Sequence, residues 1–525
     1  MAIALIAGLP PIMGLYASFA PIIVYALLGT SKHMAIGPVA LISMLVASSI
    51  TPFAAPESEQ YIALAVLLAL LVGALQVMMG LANFGYLVNF LSKPVISGFT
   101  SAAAIIIILT QLRNLLGIEI PRTHYVHEIF YHIWQNRGNI NIASLLIGTT
   151  SVLTLIFLGK WKSSFPRALL VVSVSACAVH FFNLHEAGVK TVGFMQSGIH
   201  GLSLPDIDIS SVSKLLFPTI AIALVGFIEA TAVSKHFATK FGYHVDSNQE
   251  LIALGLANLT ASIFGGYPVT GSLSRSAINA QSGAKTQFAA IITAAMVAAT
   301  LLFFTRLFHY VPLTSLTAII MAAVVNLVNT KEAKYLYKVK KTDFISWILT
   351  FSATIALGIE KGIFVSIVAS LILMMRRTTH PHHAILGRLP RSRVYRNIER
   401  YPEAITLMGL IILRVDASLY FANAAFIQEL FQRVIDEYKY QLHVIIFDAS
   451  SINDVDSTAD GALHEVYDIL SKRNIKLYFT NVKGPVRDMF ERSGFQEKVG
   501  SGHFFYGNYD AVESFLSQKF ETKKI

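Results

Sequence analysis

Two charged residues stand inside apolar stretches where a charge is costly. Arg275 lies in the segment TGSLSRSAINAQSG, and Glu229 is the only acid between Leu215 and Val233. An ionisable group at membrane depth costs several kcal/mol and is by default a candidate for function. Arg275 could support a bound anion by direct electrostatic attraction. Glu229 is expected to favour its protonated form there, which suits a proton-coupling group.

A second interpretation of the same two residues is a permanent ion pair. Arg275 would then be the counter-ion of Glu229, with no ligand between them. The two interpretations are compatible, because protonation of Glu229 would change the charge that Arg275 presents to an anion. The sequence leaves both open.

Signatures of enzymes and of ATP-driven pumps are absent from the sequence. Gly266 and Gly271 have the spacing of a phosphate-binding loop, but Ser272 stands where that loop needs lysine. There is no nucleophile elbow and no HExxH motif. The single cysteine, Cys177, excludes an intramolecular disulfide and a multi-cysteine metal site. We therefore expect no enzymatic activity, no cofactor and no bound metal.

The elements that must position these side chains are two short apolar segments, at 36–50 and 270–281. Gly37-Pro38-Val39 opens the first, and Thr270-Gly271-Ser272 opens the second. A helix that begins in mid-membrane points free N–H groups and a positive dipole end at one place, where an anion can bind. Transporters built from inverted repeats use one broken helix per half. The alternative is a pair of re-entrant loops or kinked helices without a ligand.

The composition divides the chain near residue 375. Hydrophobic residues make up 54% of the 525 residues and charged residues only 14%, against about 25% charged in soluble domains. About fourteen apolar segments precede the boundary, if a stub at the start is included. That stub, MAIALIAGLPP, is shorter than the roughly 20 residues of a crossing, so the first helix is expected to be incomplete.

Basic residues indicate the topology. Clusters occur at Lys160, Lys162 and Arg167, at 235–240, at 331–341 and at 376–377. Even numbers of apolar segments separate them, which puts all four on one side, the cytoplasmic side by the positive-inside rule. The net charge of +10 is therefore a membrane signature and does not predict nucleic-acid binding. We expect a multi-pass protein of the cell membrane, specifically a bacterial inner membrane, with a cytoplasmic C-terminus.

The pattern changes after the membrane part. Residues 378–402, rich in His, Arg and Pro, are expected to form a linker. From there on, ITLMGLIILRVD, HVIIFDAS and IKLYFTNV are typical of buried strands, and two helical patterns lie between them. Residues 403–525 are therefore predicted to be a small α/β domain with helices packed on a sheet.

Long stretches of the chain resemble the sulfate permease (SulP) family of anion transporters. The resemblance rests on AGLPPIMGLYASFAPIIVYALLGTSKHMAIGPVALIS and on VDSNQELIALGLANLTASIFGGYPVTGSLSRSAINAQSGAKTQ. DASSINDVDSTADGAL and NVKGPVRDMFERSGF resemble the STAS domain of that family. The resemblance implies a membrane domain over 1–377 with fourteen segments in two inverted repeats of seven. It also implies a core subdomain that moves against a gate in an elevator-like cycle, and a homodimer.

The resemblance also implies the site residues. The anion would lie between the two half-helix N-termini, and Glu229 matches an acidic position linked to H⁺ or Na⁺ coupling. Ile3 matches a pocket-lining position of the first helix. Relatives have a cytoplasmic lead and often a Pro-Gln pair before this point. The matching half-helix positions are Gly37, Pro38, Val39, Ala40, Ser272, Leu273, Ser274 and Arg275.

These features predict a secondary active transporter of inorganic anions, with sulfate as the expected substrate, working by proton-coupled symport or by exchange. Bicarbonate or a C4-dicarboxylate is the alternative substrate. A membrane-tethered regulatory protein with vestigial transport is the alternative of a different class. In the STAS domain, Ser457 and Thr458 are candidate phosphorylation sites at a helix start. The simpler interpretation is that Ser457 caps that helix.

Overall fold

The computed structural model describes the chain except residues 87–91, 119, 121–124, 162–166, 196, 199–200, 202–204, 206, 439–441 and 522–525. Lys162 of the first basic cluster lies outside the described residues. The chain divides into two compact units, Met1–Leu371 and Ile372–Ile525. Each unit is described by itself.

The first unit is helical, apart from two three-residue strands. Its elements in chain order are α1 (Ala2–Ile6), α2 (Pro11–Tyr16), α3 (Ala20–Leu28), β1 (Ala35–Gly37), α4 (Ala40–Ile50), α5 (Glu59–Leu81), α6 (Lys93–Leu116), α7 (Val126–Gln135), α8 (Ile142–Trp161), α9 (Arg167–Phe181), α10 (Ile209–Phe241), α11 (Ser247–Ile263), β2 (Thr270–Ser272), α12 (Leu273–Gln281), α13 (Phe288–Ala299), α14 (Leu313–Val324), α15 (Thr330–Val339), α16 (Lys341–Leu357) and α17 (Ile359–Thr379).

Apolar helices confirm the predicted helical membrane domain. Among the described residues, six helical stretches are long and apolar enough to cross a bilayer, at Pro11–Leu28, Glu59–Leu81, Lys93–Leu116, Ile142–Gly159, Ile209–Phe241 and Phe288–Phe308. The helix α4 is shorter, with 11 residues, and it is buried along nearly its whole length. A short helix that is apolar on every side needs protein around it, so α4 lies inside the unit rather than at its lipid face.

Glycine contacts bring α5 and α11 close together. A Cβ atom on Gly73 would lie 2.7 Å from the carbonyl oxygen of Gly255, and one on Gly255 would lie 2.7 Å from the carbonyl oxygen of Gly73. Neither position has room for a side chain. Small residues allow such backbone contact between membrane helices, where van der Waals packing replaces the hydrophobic effect. The α5–α11 pair thereby forms a rigid support for the loop that leads into β2.

The second unit is a six-stranded sheet with helices on both faces. Its elements are β3 (His383–Arg388), β4 (Tyr395–Asn397), β5 (Leu410–Val415), α18 (Ala424–Glu437), β6 (Val444–Asp448), α19 (Ser457–Lys472), β7 (Lys476–Thr480), α20 (Gly484–Arg492), α21 (Phe495–Val499), β8 (Phe504–Phe505) and α22 (Asn508–Glu521). The strand order is β4-β3-β5-β6-β7-β8. Strands β5 to β8 run parallel, which agrees with the predicted α/β domain.

Part of the expected linker belongs to this sheet. Residues 378–402 are predicted to connect the two domains, yet β3 pairs antiparallel with β5, His383 opposite Val415, and β4 pairs with β3. The strand buries residues on both faces of the sheet: Ala384 and Leu386 pack in one core and Ile385 against the other. Three residues are too few to stand out in the sequence, so the interpretation as a linker was wrong for the strand residues.

Candidate functional site

A short β-ladder joins the two half-helices. Strands β1 and β2 pair antiparallel, with Ala35 opposite Ser272 and Gly37 opposite Thr270. Helix α4 follows β1, and helix α12 follows β2. Because the strands are antiparallel, the two helices leave the ladder at opposite ends, about 7 Å apart for three paired residues. The two short helices predicted from the sequence therefore begin on either side of one three-residue ladder.

The first turn of α4 has N–H groups without a side-chain cap. Val39 is its N-cap residue, with extended backbone angles, and among the described residues no side-chain cap accepts a hydrogen bond from the helix start. At α12, the Ser272 hydroxyl accepts a long hydrogen bond of 3.5 Å from the Arg275 N–H. The unpaired donors at a helix start carry partial positive charge. They are suited to bind an anion.

Arg275 joins the two half-helices. Its Nη2 atom donates a hydrogen bond of 2.9 Å to the carbonyl oxygen of Pro38. Gly37 has φ +144°, and a Cβ atom there would lie 3.1 Å from both Nη atoms of Arg275. Within the described part of the chain, the buried Nε atom of Arg275 has no hydrogen-bond partner. The guanidinium is therefore held beside the start of α4, with its Nε–H donor unused.

Glu229 lies on α10 directly behind β2. The neighbouring carbonyl of Gly226 accepts a hydrogen bond of 2.6 Å from the Thr270 hydroxyl, and a Cβ atom on Gly271 would lie 3.0 Å from the Cα atom of Ala230. The buried Oε2 atom of Glu229 has no hydrogen-bond partner among the described residues. Glu229 and Arg275 attract each other electrostatically, but no direct ion pair joins them. The predicted permanent ion pair is absent from this conformation.

A second buried carboxylate, Glu250, has the opposite character. It accepts hydrogen bonds from the hydroxyls of Tyr25, Thr30 and Ser234 and from the N–H groups of Thr30 and Ser31, at 2.7 to 3.2 Å. Charge-assisted bonds of this kind are the strong ones. They fix the loop between α3 and β1, and with it the ladder. Sequence reasoning missed Glu250, because an acid near a helix start usually only complements the dipole.

A buried amide network fixes the other strand. Asn258 on α11 accepts a hydrogen bond of 2.7 Å from the N–H of Val269, and its amide group donates to the Val269 carbonyl and to the Gln76 side chain at 3.1 and 2.9 Å. Gln76 in turn donates to the carbonyl of Ala223 on α10. The network connects α5, α10 and α11 to the residue before β2. An amide inside an apolar helix was the signal that could have indicated it.

Tyr267 adds a polar atom near the start of α4. The side chain is fully buried, and its hydroxyl accepts a hydrogen bond of 3.3 Å from the Ser43 hydroxyl in the first turns of α4. The Arg275 charge also acts on this phenol group. Tyr267 thus connects the loop before β2 to the opposite half-helix, a contact that no local sequence pattern indicates.

The remaining predicted residues lie around this centre. Ile3 is half-buried in α1, a helix that contacts α4 and α14. Leu273 and Ser274 in the first turn of α12 are exposed, and the hydroxyls of Ser274 and Ser272 are 3.4 Å apart. The direct contacts join Gly37 and Pro38 to Arg275. Val39 and Ala40 follow them as the N-cap and first residue of α4.

In the second unit, Asp456 caps the helix that begins at Ser457. Its Oδ1 atom accepts a hydrogen bond of 2.8 Å from the Ala459 N–H, and its Oδ2 atom accepts one of 2.8 Å from the Phe421 N–H. The prediction that Ser457 is the cap was therefore wrong. Ser457 and Thr458 are both exposed in the first turn of α19, where their hydroxyls are accessible to modification.

Comparison with known proteins covers both units. The profile of the sulfate permease family matches residues 1–350, and that of the STAS domain matches residues 401–514. The chain is 39% identical to sulfate transporter 4.1, chloroplastic, of Arabidopsis thaliana, over 98% of this chain and 77% of that protein. It is 30% identical to the probable sulfate transporter Rv1739c of Mycobacterium tuberculosis (strain ATCC 25618 / H37Rv), over 98% of this chain and 92% of that protein.

Solved structures have the same fold. The SLC26A9 structure matches with a TM-score of 0.90 at 25% identity, over 100% of this chain and 88% of that one. The transmembrane domain of the cyanobacterial bicarbonate transporter BicA matches with a TM-score of 0.61 at 22% identity, over 70% of this chain and 92% of that one. The matches to the family profiles, the sequence identities and the shared fold all agree. The chain therefore belongs to the sulfate permease family and carries a C-terminal STAS domain.

Proposed function

We propose that this anion transporter carries sulfate by secondary active transport, either as symport with protons or as anion exchange, in an elevator-like cycle. The observation that carries the proposal is the hydrogen bond from Arg275 to Pro38. This hydrogen bond holds the Arg275 guanidinium at the start of α4, although Arg275 itself belongs to α12. Relatives over nearly the whole chain are named as sulfate transporters, which favours sulfate over other anions.

Sulfate would bind by its oxygens to two kinds of donor. The uncapped N–H groups at the start of α4 offer a positive dipole end, and the unused Nε–H of Arg275 offers a charged donor. Sulfate is a tetrahedral dianion, so it can accept from several directions at once. A single guanidinium and the helix dipoles neutralise the two negative charges of sulfate only in part. Incomplete neutralisation suits a substrate that must be released again.

Glu229 would couple transport to protons. Its unpartnered Oε2 can accept a proton without breaking an existing hydrogen bond, whereas Glu250 would lose bonds on protonation. A protonated Glu229 leaves the Arg275 charge free for the anion, and an ionised Glu229 competes for it. Na⁺ at Glu229 is the alternative coupling ion.

The assembly and the orientation of the transporter are part of the proposal. We infer that it forms a homodimer in the cell membrane, a bacterial inner membrane, and that the STAS domain lies on the cytoplasmic side. We also infer that a phosphate group on Ser457 or Thr458 would lie at a helix N-terminus, where the dipole favours negative charge. Such a modification would act on the STAS domain and not on the anion site.

Labelled sulfate uptake into proteoliposomes tests the proposal. Purified protein should take up sulfate, and an inward proton gradient or a counter-anion inside should raise the rate. Parallel assays with bicarbonate and with a C4-dicarboxylate compare the alternative substrates. If none of these anions is transported, the protein is a tethered regulator with vestigial transport. A chain that ends between α17 and β3, so that the whole sheet of the second unit is removed, separates the two classes, because it should retain some transport only if transport is the protein's function.

A further inference from the structure

Helix α15 presents a basic and aromatic surface to its surroundings. Lys331, Lys334 and Lys338 are exposed and lie within an arc of about 60° on the helix. Tyr335 and Tyr337 flank them and are 59% and 61% exposed. The surface is unusual for a water-facing helix, because two large aromatic side chains beside the lysines are each more than half exposed.

The opposite side of the same helix is anchored. Leu336 is buried, and α15 packs against α16 and α6. The one acid of α15, Glu332, lies about 100° or more around the helix from the lysines, and its N–H bonds to the Asn329 side chain at 3.0 Å. The lysine side is therefore fixed in direction and is not neutralised from its own helix.

A hollow of about 470 Å³ lies in this surface. Lys334, Lys338, Tyr337 and Phe344 are among its lining residues. The rings of Tyr337 and Phe344 are in edge-to-face contact, with centroids 5.3 Å apart. The lining is almost wholly apolar, so Lys334 and Lys338 contribute their methylene stems to it beside the aromatic wall, and both lysines are exposed to their surroundings. An anionic group with an apolar part attached would suit both the ammonium groups and the apolar lining.

The apolar part has a continuation along α16. Ile345, Ile348 and Leu349 are exposed at 57%, 41% and 46% in the turns that follow the hollow. Exposed aliphatic side chains on a helix of a membrane domain are suited to hydrocarbon chains. From the lysines to Leu349, the surface changes from cationic through aromatic to aliphatic, which is the order of groups from the surface to the interior of a bilayer.

We propose that α15 and the start of α16 form a binding site for an anionic phospholipid. The phosphate would lie between Lys334 and Lys338, with Lys331 beside them. The glycerol region would contact the rings of Tyr337 and Phe344, and an acyl chain would follow the aliphatic residues of α16. A free phosphate ion or an acidic peptide would use the lysines only and would leave the aromatic and aliphatic surface in water. The charge pattern and the apolar continuation together favour the lipid.

Native mass spectrometry of the full chain tests the proposal. The protein is released from nanodiscs that contain equal amounts of phosphatidylglycerol and phosphatidylcholine, and the retained lipids are counted. The wild type should retain phosphatidylglycerol preferentially. The variant Lys331→Gln, Lys334→Gln, Lys338→Gln should lose about a hundredfold of that preference, since each of the three lysines near an anionic surface contributes about fivefold.

A matched variant controls for net charge. Arg396→Gln, Arg400→Gln and Lys472→Gln remove three exposed positive charges from the second unit and should leave the lipid preference unchanged. Tyr337→Ala should weaken retention without any change in charge. An unchanged preference in the lysine variant, with thermal unfolding like that of the wild type, would overturn the proposal. Displacement of the lipid by millimolar inorganic phosphate would also overturn it, because the site would then recognise free phosphate.

Discussion

Replacement of Glu229 by glutamine removes the proposed proton carrier and little else. The Oε2 atom of Glu229 has no hydrogen-bond partner in the described structure, so the isosteric amide breaks no bond there. The amide places N–H donors at a buried position without an acceptor, so we expect a loss of about 1–3 kcal/mol of unfolding free energy. This is less than the usual stability of a folded protein, so the variant should fold, reach the membrane and still bind sulfate at Arg275 and the half-helix starts.

The effect on transport follows from the proton gradient. If one proton accompanies each sulfate, one pH unit adds about 1.4 kcal/mol of driving force, which is about a tenfold higher accumulation ratio. Wild-type proteoliposomes should show that factor with labelled sulfate, at a fixed membrane potential. The Glu229→Gln variant should show no dependence of accumulation on the gradient, while exchange of internal for external sulfate continues.

A control variant separates coupling from general charge effects. Glu59→Gln also removes one carboxylate, at an exposed position in the first turn of α5, and should accumulate sulfate like the wild type. If Glu229→Gln retained the tenfold response to one pH unit, Glu229 would not be the coupling group. If the variant lost exchange as well as accumulation, the residue would act in anion binding instead.

Three further substitutions test the site itself. Arg275→Ser should weaken sulfate binding by about tenfold to a hundredfold, the value of a hydrogen bond to a charged group, and equal affinity by calorimetry would contradict its role. Gly37→Ala should lower sulfate affinity, because φ is +144° there and the new Cβ atom would lie 3.1 Å from the guanidinium of Arg275. The control is Gly138→Ala, where a Cβ atom would have no heavy atom within 4 Å, and its sulfate affinity should match the wild type. Glu250→Gln should cost about 2–4 kcal/mol, since it removes a charged acceptor from buried donors, and an unchanged melting temperature in detergent would show that the carboxylate is not a structural anchor.

Local signals in the sequence indicated most of the residues of the proposed anion site. Gly37-Pro38-Val39 and Thr270-Gly271-Ser272 interrupt apolar segments, and a break in a membrane helix is visible in sequence because glycine and proline are the residues that allow it. Arg275 and Glu229 were visible because a charge in such a segment is rare. For these features one segment of sequence contains the whole signal.

Contacts between distant segments were not predictable in the same way. Glu250 bonds to residues about 220 positions earlier in the chain, and nothing local in NQELIALG indicates those donors. Asn258 and Gln76 are 182 positions apart. The strand β3 was hidden for the same reason, because its stability comes from pairing with β5 rather than from its own short pattern. Which carboxylate is saturated and which has an unpartnered oxygen became clear only from the packing.

The proposed transport mechanism requires an anion bound between the two half-helices. Selenate has the charge and shape of sulfate and scatters anomalously, so a crystal of the protein soaked in selenate can locate the anion directly. We expect one anomalous peak within hydrogen-bond distance of the Arg275 side chain and of the first N–H groups of α4, and the Arg275→Ser variant should lack it. A peak elsewhere in the membrane unit, with none beside Arg275, would show that the anion does not bind between the half-helices.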